Sequence, residues 1–126
     1  LDNKISNMID EIKNKYEHFS DSLVLKIVYD ADDTSKKIEV IIKCMNKLND
    51  YEFEIITLSF EDIISFCFID TENQSNVSIN AALLTNERGI ITFDFSPLIF
   101  ERAELKENEN SDFKIKCRKI SYKQMN

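Results

Sequence analysis

The chain begins with apolar residues three and four positions apart and then changes to a period of two. Ile5, Met8, Ile9, Ile12, Tyr16 and Phe19 fall on one helical stripe, with Asp10, Glu11, Lys13, Asn14 and Glu17 opposite. This spacing predicts an amphipathic helix over about residues 4–19, with Asp2 placed to cap its start. From Ser22 onward Leu23, Leu25, Ile27 and Tyr29 alternate with Val24, Lys26, Val28 and Asp30, the mark of a half-buried strand. The polar run from Asp30 to Lys36 then reads as a turn.

Further strands follow. Ile38, Val40, Ile42 and Cys44 share one face of the second, and Lys47-Leu48-Asn49-Asp50 breaks it. Tyr51 to Phe60 reads as the third strand and Ile63 to Ile69 as the fourth, divided by Glu61-Asp62. A polar loop from Asp70 to Asn76 leads to a fifth strand at Val77 to Thr85. The only glycine, Gly89, closes a hairpin turn before a sixth strand at Ile90 to Phe95. The segment near Phe100 to Leu105 is expected to pair weakly, Lys106 to Ser111 is a charged loop, and Phe113 to Tyr122 is the last strand.

Strands spaced this closely, with no helical pattern between them, argue for antiparallel pairing. The expected fold is α+β and mainly β. It is a single domain over residues 1–126, with an antiparallel sheet of about six to eight strands over residues 22–123. That sheet, open or barrel-like, packs against the N-terminal helix. Phe53, Phe60, Phe66, Phe68, Phe93, Phe95, Phe100 and Phe113 fall on strand periods and are expected in the core.

Composition narrows the classes. The chain has 126 residues, 43% hydrophobic and 31% charged, enough for one real core and too apolar for a disordered segment. No apolar run is long enough for a membrane helix, and no membrane partner is expected. The start at Leu1 suggests a trimmed chain, and the charged residues that follow do not read as a signal peptide. Three widely spaced cysteines, Cys44, Cys67 and Cys117, make an odd set that fits reduced thiols in a cytoplasm better than a disulfide framework.

Candidate chemistry is sparse. Zinc needs thiolates brought close together, and these cysteines each sit inside an apolar strand, with Cys67 out of phase with Phe66 and Phe68. The run Asp30-Ala31-Asp32-Asp33-Thr34 offers alternate oxygens, but Ser35 and Ile41 stand where a calcium loop needs Gly and a bidentate Glu. His18, the single histidine, lies off the apolar stripe, so no nucleophile–base pair suggests itself. Glu52 and Glu54 share a strand face that Asp94 could approach across the sheet. Such a carboxylate set on an open face serves solubility more often than catalysis. No enzyme, metal or cofactor is expected.

Charge is the most informative feature. All 23 acidic side chains precede residue 113, while Lys114, Lys116, Arg118, Lys119 and Lys123 follow it, for a net charge of −7. Lys114, Lys116 and Arg118 share the outer face of the last strand, where acidic neighbours would balance them. The overall negative field argues against nucleic acid as a partner. The acids gather at turns: Asp30, Asp32 and Asp33; Asp50, Glu52 and Glu54; Asp70 and Glu72; and Glu101, Glu104, Glu107 and Glu109. Such a surface gives solubility, or it mimics phosphates toward a basic protein.

Three stretches, EIITLSFEDIISF at 54–66, IITFDFSP at 90–97 and SDFKIK at 111–116, resemble small bacterial immunity proteins of polymorphic or contact-dependent toxin systems. The resemblance implies a cytoplasmic domain that binds and blocks one cognate toxin, and it carries over no individual binding residue. From the acidic clusters, Asp30, Asp32, Asp33, Glu52, Glu54, Asp70 and Glu72 are the expected partner-binding residues, facing a basic toxin surface such as a nuclease. The alternatives are an interaction or adaptor domain that recruits a strand at a sheet edge, and a small-ligand domain with a cavity between helix and sheet.

Overall fold

Helix α1, Asn3–Tyr16, buries Ile9, Ile12 and Tyr16 on the stripe its spacing predicts. The computed structural model describes residues 3–73 and 75–125, so the proposed Asp2 cap lies outside the described residues. The helix ends three residues short of expectation because Glu17 takes φ 52°. Its amide still donates to Lys13 O at 2.8 Å, and the chain then turns back. Phe19, past the helix end, nevertheless remains buried.

Nine strands follow: β1 (Ser22–Ala31), β2 (Lys36–Asn46), β3 (Glu52–Phe68), β4 (Ser78–Ile79), β5 (Leu83–Glu87), β6 (Ile90–Asp94), β7 (Leu98–Ile99), β8 (Leu105–Lys106) and β9 (Phe113–Met125). Seven of them form one sheet in the order β4-β1-β2-β3-β9-β6-β5, and β7 pairs β8 separately. Every pairing is antiparallel. β4 and β5 stand at opposite edges, yet only Asn80, Ala81 and Ala82 separate them along the chain. That segment spans roughly 14 Å at most, so the two edges converge there and the open sheet is curled into a half-barrel. The Ala82 amide donates to His18 O at 2.7 Å, tying the turn after the helix to the same corner.

The helix fills the curl. Ile9, Ile12 and Phe19 join Val40, Ile42, Leu58, Phe60, Ile91, Phe93 and Ile115 in one buried cluster. A file of rings, Phe19, Phe93, Phe95 and Phe113, runs through it with centroids 5.3, 4.4 and 3.8 Å apart. Each such ring contributes about 1.5–3 kcal/mol by leaving water. Ile38, Val40, Ile42 and Cys44 share the inner face of β2 as their spacing predicts.

Four strand-level expectations are corrected. The residues expected as separate strands on either side of Glu61-Asp62 form the single 17-residue β3. Glu61 and Asp62 mark a kink: both are exposed, Asp62 has φ 54°, and they face Arg118 and Lys119, two consecutive exposed residues of β9. In β1 a bulge leaves Leu25 without a ladder partner, so Ser22 and Val24 are buried while Leu23 and Leu25 are exposed. The expected strand at 77–85 is β4 and β5, interrupted where the chain crosses between sheet edges. Phe60, Phe93, Phe95 and Phe113 are core, but Phe53, Phe68 and Phe100 are exposed and Phe66 is half-buried. Period alone does not distinguish a face the helix covers from one it leaves open.

Arg88 and Gly89 form the predicted β5–β6 turn, with φ of 54° and 83° between paired Glu87 and Ile90. Two positive φ values in a two-residue loop suit the twist of the hairpin.

Candidate functional site

The acids expected to bind a partner occupy three separate places. At the tip of the β1–β2 hairpin, Asp32 Oδ1 accepts from the Thr34 and Ser35 amides, both at 2.8 Å, and from Thr34 Oγ1 at 2.9 Å. Those backbone donors hold its carboxyl below the usual carboxylate range. Asp32 therefore shapes the tip, while Asp30 and Asp33 stand exposed beside it. The tip lies against the β3 kink, where Asp32, Asp33, Lys36, Asp62, Ile63 and Arg118 line a groove of about 350 Å³. Asp62 also meets Lys119 at 3.6 Å, an exposed pair of little energetic weight.

Sequence reasoning missed Asp62 and Arg118 as members of this corner. The readable signal was the double polar step, Glu61-Asp62 and Arg118-Lys119, which breaks the alternation in two strands that pair with each other.

Glu52 and Glu54 lie at the other end of the β2–β3 ladder, opposite Asn46 and Cys44. With about 3.3 Å per residue along β2, they stand roughly 30 Å from the hairpin tip, so the two groups do not form one patch. Glu52 is exposed. Glu54 is half-buried and accepts from the Tyr16 hydroxyl at 2.6 Å and from Gln124 Nε2 at 3.4 Å. Burial, and then this bond to Glu54, push the Tyr16 phenol far above its ordinary value. Asp94, expected to approach these carboxylates, is instead at the far end of the sheet: it registers with Lys114, whose β3 partner is Cys67.

Asp70 and Glu72 lie in the loop after β3. Asp70 Oδ1 accepts from the Asn76 amide at 2.8 Å, and Asn76 Nδ2 donates to Ile69 O, so Asp70 braces its own loop. Glu72 is exposed.

A different element carries the most ordered polar network. Asp94 is fully buried, and its two oxygens hold both ends of the excursion between β6 and β9. Oδ1 accepts from Ser111 Oγ at 2.6 Å and from the Ser96 amide at 3.0 Å; Oδ2 accepts from the Asn108 amide at 2.8 Å. Asn108 Nδ2 returns a bond to Ser96 O at 3.0 Å. Lys114 and Lys116 both reach Glu107 Oε2 at 3.0 Å. Partial burial works against the Glu107 carboxylate, but the hydrogen bonds from Lys116 and Lys114 outweigh it and leave its pKa below the ordinary value. Glu107 is thus the acidic neighbour expected to balance the basic face of β9.

What this framework presents is apolar. Leu98, Ile99 and Phe100 are consecutive and exposed at 45%, 58% and 47%, with Glu101 and Glu104 exposed beside them. Three adjacent exposed apolar residues are unusual on a soluble surface without a partner. The β7–β8 ribbon that holds them is too small to be stable alone, so the Asp94 network fixes it.

His18 is exposed, and among the described residues no three His, Cys, Asp or Glu side chains converge in a metal-binding cluster. The helix and sheet leave an open groove of about 360 Å³ lined by Ile5, Met8, Glu61, Lys119 and Ile120. No helix among the described residues is long and apolar enough to cross a membrane. Comparisons with protein-family models, with curated proteins and with solved structures find no match to this chain.

Proposed function

We propose that this domain is a non-enzymatic inhibitor of the immunity type, which binds a cognate toxin domain in the cytoplasm and blocks it by occlusion. The observation that supports this reading is the 96–111 excursion: a buried carboxylate holds both of its ends and its tip offers Leu98, Ile99 and Phe100 to solvent. A pre-ordered apolar tip pays little entropy on binding and suits a central anchor. Glu101 and Glu104 around it, with Asp30 and Asp33 at the hairpin corner, suit a partner rich in Lys and Arg, such as a nuclease. Carboxylates at such a rim act mainly on the rate of encounter.

The test is co-expression with the toxin domain encoded beside its gene, followed by titration of the purified pair. Protection of growth and a tight complex are expected. Phe100→Asp should weaken the complex at least tenfold, and Asp33→Lys should slow association most strongly at low salt. Undiminished toxicity with no complex formed would overturn the proposal.

A further inference from the structure

β1 has an unprotected edge. On the side away from β2, β4 covers only Ser22 and Leu23, and the Val24 amide makes the last backbone bond there, to Val77 O at 2.7 Å. From Leu25 to Ala31 no described residue pairs with this edge. Such an edge is a template for another strand, and natural domains ordinarily blunt it with proline, crowded charge or a covering loop. The free stretch has no proline, and its one lysine, Lys26, and the bulge at Leu25 both sit at its start, so Ile27 to Ala31 run on in unbroken register with β2. Leu25 and Tyr29 are also exposed at 50% and 49%.

We propose that this edge pairs antiparallel with β1 of a second copy of the chain, across a two-fold axis at Val28. The free stretch Leu25-Lys26-Ile27-Val28-Tyr29-Asp30-Ala31 has Val28 at its centre. Pairing about that centre places Val28 opposite Val28 of the second copy, Ile27 opposite Tyr29, Leu25 opposite Ala31, and Lys26 opposite Asp30. Each Lys26–Asp30 pair occurs twice, so the strand is complementary to itself in both charge and apolar character. A register centred on Ile27 sets neither Lys26 nor Asp30 against an opposite charge, and one centred on Tyr29 does so only by setting Lys26 against Asp32, which lies past the end of β1 and is engaged in the hairpin turn. The β4 strand at one end and the hairpin tip at Asp32 at the other limit the ladder to this length. The result is one continuous sheet made of two seven-stranded halves. This inference does not rest on the toxin reading. The two share Asp30, which the dimer would occupy, leaving Asp33 and Asp62 open.

The experiment is sedimentation of the full chain over a concentration series up to about 1 mM, the weakest association worth resolving. The wild-type chain should pass from monomer to dimer. Lys26→Asp and Asp30→Lys each set like charges opposite one another twice, and each should raise the dimer dissociation constant roughly ten- to hundredfold. An equimolar mixture of the two variants restores both opposite-charge pairs and should dimerise again, as should the double variant carrying both changes. Both residues are exposed, and recovery in the mixture itself requires folded variants. A wild-type chain that stays monomeric throughout would overturn the proposal. So would a dimer indifferent to the single reversals, or single variants that fail to rescue each other.

Discussion

Tyr16 and Glu54 are 38 residues apart in the chain, and the Tyr16 hydroxyl donates to Glu54 Oε1 across 2.6 Å. The bond fastens the last turn of α1 to the start of β3, next to Cys44 and Tyr122. It also distinguishes Glu54 from Glu52, two residues away on the same strand, which remains exposed. An acid already serving as the acceptor for a buried phenol has less to offer a partner.

Glu54→Ala should therefore act on stability. It leaves the Tyr16 hydroxyl without its acceptor in a buried position, at a cost of about 1–3 kcal/mol. Tyr16→Phe in the same background should recover part of that loss, because the orphaned group is then gone. Urea titrations of the two single variants and the double variant measure both effects. An unchanged midpoint for Glu54→Ala would refute this role.

Asp94→Ala should destabilise the domain by about 3 kcal/mol, since three donors lose a buried charged acceptor at once. Amide hydrogen exchange should speed up most between residues 96 and 112, where Ser96, Asn108 and Ser111 depend on it. Exchange that rises evenly across the whole sheet instead would show that Asp94 does not anchor the excursion.

The three thiols should separate by reactivity. Burial pushes Cys44 and Cys117 up to about 12, so at neutral pH both are inert thiols. Cys67 is only half-buried. A thiol reagent should label one cysteine per native chain, at Cys67, and all three only after unfolding. Peptide mapping identifies the site, and rapid native labelling of Cys44 would contradict the burial.

Acid should weaken the fold through Asp32 and Glu107. Both carboxyls lie below their ordinary values of 3.8 and 4.5. A depressed folded pKa means the unfolded chain takes up protons first as pH falls. The stabilisation is thus complete above those ordinary values and is lost below them, as pH drops through the depressed ones. Melting curves from pH 6 downward should fall most steeply below about pH 4.5. Asp32→Asn and Glu107→Gln together should flatten that fall.

Much of the architecture was legible from spacing. The stripe from Ile5 to Tyr16, the alternation from Ile38 to Cys44 and the glycine at position 89 each report a local geometry that neighbouring residues enforce. The acidic hairpin was legible too, because Asp32 closes its turn with residues two and three positions on. The breaks were harder. Glu61-Asp62 reads as a turn because two adjacent polar residues interrupt the period, and only the pairing with β9, which goes on past them across a bulge at Ile64, shows a kink within one strand.

What the chain determined by itself is whatever depends on near neighbours: helix, strands, turns, one mixed α and β domain, and a surplus of acid at the turns. Tertiary structure decided which apolar faces the helix covers, leaving Leu98, Ile99 and Phe100 in solvent while Phe93 and Phe113 are enclosed. It also decided that Glu54 and Asp94 are braces, and that among the described residues none pairs with the outer edge of β1 from Leu25 to Ala31. These outcomes depend on contacts between residues far apart in the chain. Periodicity records which side of a strand a residue takes, and it carries no information about what lies opposite that side.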